Sequence, residues 1–149
     1  MTNDQQTDLI AAIQRDHREV EGMLQAVESA SGDARRSAFD ELATKLKVHE
    51  EAEQKVVHPL TAEEGGADEA KALRAEESAA SKALKELESL DVDSPDFETG
   101  FARLKADVLA HAREEEREEH PRLKSDTSPE ELDRRGQMFE DAERSASKS

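Results

Sequence analysis

Cysteine, tryptophan and tyrosine are missing from the 149 residues, and phenylalanine occurs only four times. Without cysteine there is no disulfide framework, thiolate metal site or cysteine nucleophile, so any metal must be held by nitrogen and oxygen donors. The lack also fits a reducing cytoplasm, the expected location. With so few aromatics the core must come from Leu, Val, Ile and Ala with a little Met and Phe, a mixture that favours helices over strands. No apolar run approaches the ~18 residues needed to cross a bilayer, and the polar stretch from Met1 to Asp8 has no apolar signal segment. Basic residues are the minority, 21 against 37 acidic, and the net charge of −16 repels phosphate backbones and anionic membranes. Nucleic acid and membrane are therefore not expected as partners, and an acidic surface of this kind predicts a monomer.

What remains is a chain that is 39% charged and 34% hydrophobic, which folds only if its apolar residues are phased. Turn-forming clusters divide it into five helical stretches. The first covers residues 4–30 and ends at Ser31-Gly32. The second runs from Asp33 as its cap to His58 and stops at Pro59, before a flexible Glu64-Gly65-Gly66. The third covers 67–90. Ser94-Pro95 caps and opens the fourth, which reaches His120-Pro121. Ser128-Pro129-Glu130-Glu131 is a capping box that opens a shorter fifth helix to Arg144, with a frayed Ser-rich end. Long helices joined by short turns run antiparallel, so the fold class is all-α. An up-and-down four-helix bundle is expected over residues 1–124, and a short C-terminal helix and tail over 125–149.

The apolar stripes agree, with steps of four and three that mark a bundle seam. Helix one gives Leu9, Ile13, Val20, Leu24 and Val27, and helix two Phe39, Leu42, Leu46, Val56 and Leu60. Helix three gives Leu73, Ala80, Leu84 and Leu87, and helix four Phe101, Leu104 and Val108. Each stripe is interrupted, and the interrupting residues are His17, His49, Glu53, Glu77, His111 and Glu115. Six ionisable groups at positions that packing would give to leucine stay inside only by binding one another or sharing cations. Imidazole with bridging carboxylate is a ligand set for iron or manganese. The competing interpretation is a hydrogen-bonded polar layer that fixes helix register without metal.

Residues four apart share a helix face, so His49-x-x-x-Glu53 aims both side chains at one point, as does His111-x-x-x-Glu115. The motif recurs as part of a longer repeat: His49, Glu53, His58 and Pro59 return as His111, Glu115, His120 and Pro121, 62 residues on. His17 stands 32 residues before His49 and Glu77 stands 34 before His111, which makes them partners in two helix pairs. His58 and His120, nine residues beyond His49 and His111, face about 180° away on a regular α-helix and are expected at helix ends, beside the carboxyl-terminal dipole. Between Glu114 and Glu119 only Glu115 belongs to the seam; the others are expected on a solvated face. Glu50, Glu76 and Ser81 flank the seam, where each is placed to complete a coordination sphere or to form polar helix surface.

From about residue 9 to 123 the pattern resembles the hemerythrin-like or HHE cation-binding family. The resemblance is carried by His17, by His49-Glu50-Glu51-Ala52-Glu53 with Pro59, and by His111-Ala112-Arg113-Glu114-Glu115 with Pro121. It implies two iron ions, oxo- or hydroxo-bridged, with Glu53 and Glu115 across both, His17 and His49 on one, and His111 with the helix-three ligand on the other. Helix three departs from the family by placing Glu77 where histidine is usual. This resembles the carboxylate-rich branch, in which a glutamate after the helix-two histidine, here Glu50, also ligates. Four carboxylates and an oxo bridge balance two ferric ions, so a diferric resting state is implied. A carboxylate-rich pair favours reaction with peroxide over reversible oxygen carriage, and catalase-like turnover is implied by the actinobacterial members. Binding or sensing of oxygen, nitric oxide or iron without turnover is the alternative, and a metal-free helical interaction module is a third.

Overall fold

The computed structural model describes residues 8–63 and 66–147. Among these residues there is no strand. The expected start of the first helix at residue 4, Glu64-Gly65 of the connection and the end of the tail lie outside the described residues. Helix α1 is Leu9–Ser29, capped by Asp8, whose side chain accepts from the Ala11 amide. Helix α2, Gly32–Ala52, starts after Ser31 rather than Asp33. Gly32 has φ +58°, a left-handed conformation open to glycine, and its N–H donates to Asp93 across the turn.

Helix α2 does not stop at Pro59. It passes through a π turn, π1 (Glu53–Val57), into α3 (His58–Glu63). Helix α4 is Ala67–Glu88. Helix α5, Pro95–Glu114, begins as expected with Ser94 accepting from Phe97. It likewise continues through a second π turn, π2 (Glu115–Glu119), into α6 (His120–Asp126). Each proline thus lies inside a continuous helix, and each follows a π turn closed by an amide five residues on: His58 to Glu53 and His120 to Glu115. A proline in a regular helix lacks the donor and its ring strikes the carbonyl four residues back; the wider turn before it relieves the steric conflict.

These helices make the bundle. Helix α7, Pro129–Ser147, opens with Glu131 donating its amide to Ser128 and packs on α1 and α2. It ends three residues beyond Arg144. The apolar core is split in two. One cluster gathers Val20, Leu24, Leu42, Leu46, Leu84 and Leu104 around a trio of rings, Phe39, Phe97 and Phe101. The other joins Leu9, Ile13, Val56, Leu60 and Leu123 to Leu132 and Phe139 of α7. The residues that interrupt the apolar stripes lie between the two clusters along the chain, so the ends of the bundle supply the burial that holds a polar layer in place. No helix among the described residues is long and apolar enough to cross a membrane.

Candidate metal centre

Six of the seven expected site residues come together in that layer. His17, His49, Glu53 and Glu115 each present one ligand atom within 4.8 Å of the others, and Glu53, Glu77, His111 and Glu115 do the same. Glu53 and Glu115 belong to both groups. Glu53 and Glu115 are fully buried, Glu77 nearly so, and His49 is 5% exposed. Glu50 stands outside both groups. Its Oε1 accepts from Ser81 at 3.1 Å, and its side chain lines a cavity that opens onto the centre.

All three histidines present Nε2 inward. His17 Nε2 lies 3.0 Å from Glu115 Oε1, His49 Nε2 3.2 Å from Glu53 Oε2, and His111 Nε2 3.1 Å from both Glu77 and Glu115. Each Nδ1 meets a carboxylate at 2.7 Å: His17 with Glu116, His49 with Asp16, His111 with Glu76. A carboxylate on Nδ1 fixes the tautomer that leaves Nε2 as ligand and raises its basicity. The internal repeat extends to this outer layer. The acidic residue before His17, Asp16, holds the histidine of the first motif, and the one before Glu77, Glu76, holds that of the second.

The ionisation pattern is that of a site built for cations. Burial, followed by the neighbouring Glu115 and Glu77, pushes Glu53 well above the usual carboxylate range. Burial would raise Glu115 and Glu77 too, but hydrogen bonds from His111 and His17 hold Glu115 far below it, and those from His111 and His58 bring Glu77 to about 2. His111 rises because its glutamate partners outweigh burial. Neither oxygen of Glu53, nor Glu115 Oε2, nor His49 Nε2 finds a well-formed hydrogen bond among the described residues. Buried, convergent and under-bonded donors of this kind fit metal ions, which replace the shared protons when they bind.

His58 and His120 correct the sequence expectation. Both are buried within continuous helices, not at helix ends. A π turn inserts one residue, so nine residues advance the helix as eight would, to about 80° instead of about 180°. His58 consequently faces inward and bridges Glu77 at 2.9 Å and Glu119 at 3.1 Å, and Glu119 also accepts from Thr61. Glu119 is fully buried rather than on a solvated face. His120 stacks near His17, ring centroids 6.2 Å apart, with neither nitrogen bonded among the described residues. The readable signal was the proline after each histidine, inside a pattern whose apolar period continues beyond it. Helix α7 adds residues that no spacing disclosed. Phe139 sets its ring edge-to-face on His49 at 5.7 Å, and Glu143 is raised to about 8 by burial and by its hydrogen bond with Asp16.

No curated protein and no solved structure matches the chain. The family model described as Hemerythrin HHE cation binding domain matches residues 8–123, a span that runs from the cap of α1 into α6 and takes in every residue of both ligand groups. The chain, with its paired His-Glu clusters inside a helical bundle, belongs to the hemerythrin HHE cation-binding domain family.

Proposed function

We propose that the chain is a non-haem di-iron protein that reacts with peroxide or oxygen in an oxidative-stress role, its ligands being His17, His49, Glu50, Glu53, Glu77, His111 and Glu115. The observation that carries this reading is the sharing of Glu53 and Glu115 by two four-residue ligand groups, which provides for two adjacent ions with two carboxylates in common. Two irons held there would supply one-electron redox chemistry at an oxygen–oxygen bond. The chain's own part is to hold and orient. Asp16, Glu76 and Glu116 keep the three imidazoles turned inward, and the apolar clusters pack the bundle on either side of the centre. Glu50 joins the set through the oxygen that Ser81 does not hold. In metal-free protein, burial and then the nearby Glu77 raise its carboxyl to about 7.

Elemental analysis, an ultraviolet-visible spectrum and oxygen evolution from hydrogen peroxide test the reading together. Two irons per chain, a ferric spectrum and oxygen release above that of free iron, lost in Glu53→Ala, are expected. Iron without turnover, together with a stable oxygen or nitric oxide adduct, overturns the peroxide role in favour of sensing. Protein that takes up no iron overturns the whole proposal.

A further inference from the structure

The cavity over the metal centre has a volume of ≈ 340 Å³. Two ions with a water-sized bridge fill roughly 90 Å³ at ~30 Å³ each, and peroxide or dioxygen needs little more. The remaining space, about 250 Å³, lies just below the ~300–1,000 Å³ of drug-sized sites and suits an organic molecule of a few carbon atoms. Aliphatic side chains from four helices line it beyond the ligands: Val20 of α1, Leu46 of α2, Ala80 of α4, and Val108 and Leu109 of α5. Acidic side chains, Glu76, Asp107 and Glu114, also line the cavity. No lysine or arginine is among its lining residues, and the histidine nitrogens that reach it already face carboxylates.

We propose that this cavity binds uncharged molecules with a short alkyl body, larger than peroxide or dioxygen, the alkyl part against Val20, Leu46 and Val108 and one polar head toward the metal ligands. Aliphatic walls reward burial of a hydrocarbon in proportion to the apolar area removed from water. In the metal-free protein the acidic lining and the net charge of −16 turn away carboxylates and phosphates of the same size. The inference concerns what the cavity admits and holds whether or not peroxide is turned over below it.

Methyl-labelled, metal-free protein, in which no cation can capture the carboxylate probe, titrated with tert-butyl alcohol and, separately, with pivalate tests it by nuclear magnetic resonance. The two probes share the tert-butyl group and differ in charge. Saturating shifts confined to the Val20, Leu46 and Val108 methyls are expected with the alcohol, and affinity at least tenfold weaker with pivalate. Ala80→Phe fills the cavity and should abolish the shifts; Ala80→Leu, a smaller change that serves if the first variant does not fold, should weaken binding at least threefold. Metal content verifies the fold of each. Shifts that rise without saturating, that spread over surface methyls or that pivalate matches overturn the proposal, as does an Ala80→Phe protein that takes up its full metal complement on loading and, metal-free, still binds the alcohol.

Discussion

His58 Nε2 lies 2.9 Å from Glu77 Oε2 with neither side chain exposed, so the carboxylate that stands where the family usually has a helix-three histidine is itself held by an imidazole from the neighbouring helix. The repeat-related His120 meets His17 instead, and two imidazoles stack where an imidazole and a carboxylate would bond. The two positions should therefore respond differently to one substitution. His58→Phe leaves Glu77 and Glu119 buried without their shared partner and is expected to cost about 3–5 kcal/mol in metal-free protein. His120→Phe removes no hydrogen bond and should cost below ~1.5 kcal/mol. Urea unfolding of both variants measures the contrast, and equal losses would contradict the assigned contacts.

Metal-free and metal-loaded protein should have opposite pH responses. Burial alone would lower His58, but hydrogen bonds to Glu119 and Glu77 raise it from 6.5 to about 9. Its contribution to stability is complete below pH 6.5 and is lost as pH rises through about 9. Glu50 and Glu143, raised mainly by burial to about 7 and about 8, lose theirs in the same direction as they ionise inside the fold. Glu77, lowered to about 2, contributes above pH 4.5 and fails only in strong acid. Metal-free protein should melt roughly 5–10 °C lower at pH 9.5 than at pH 6. Metal affinity should instead increase with pH, because ions compete with protons for the same atoms. Calorimetry and metal titration at the two pH values measure both trends.

Glu53→Gln separates a ligand from a structural residue. The carboxyl is fully buried among Glu115 and Glu77, and its burial in the absence of metal is a cost. The variant is expected to melt at the same temperature as wild type or higher when metal-free, yet to retain at most one ion per chain. A residue that only filled space would show neither effect. Melting curves and elemental analysis decide it.

Asp16 and Phe139 act on the centre through His49. Asp16 accepts from His49 Nδ1 and from Lys45 at 2.9 Å, and Phe139 packs against the ring from α7, beyond the family match. Asp16→Ala should weaken metal binding about 10–100-fold, the range found when an outer partner of a ligand histidine is removed, with partial recovery in Asp16→Glu. Phe139→Ala should cost about 3–5 kcal/mol as a cavity in a packed core. It should also change the spectrum of the bound metal, which a cavity distant from the ligands would not do.

Periodicity was enough to place the four bundle helices, and the seam residues Leu9, Ile13, Leu24, Leu42 and Leu84 are all buried as their spacing required. The paired motifs were equally legible, because residues four apart share a face in any α-helix, and His49, Glu53, His111 and Glu115 do converge. Beyond Pro59 and Pro121 the same rule failed, since it assumes 3.6 residues per turn and each π turn breaks that count.

The sequence alone determined the helical class, the interruption of the apolar seam by six ionisable residues and the absence of thiolate donors. Composition and local spacing control these. Only the tertiary structure decided that His58 and His120 point inward, that Glu119 is buried, that Ser81 holds one oxygen of Glu50, and that α7 brings Phe139 and Glu143 to His49. Those contacts join residues from 31 to more than 90 positions apart, and no repeat of three, four or seven encodes which helices lie side by side. Packing of the two apolar clusters makes that choice, and the chemistry between them follows from it.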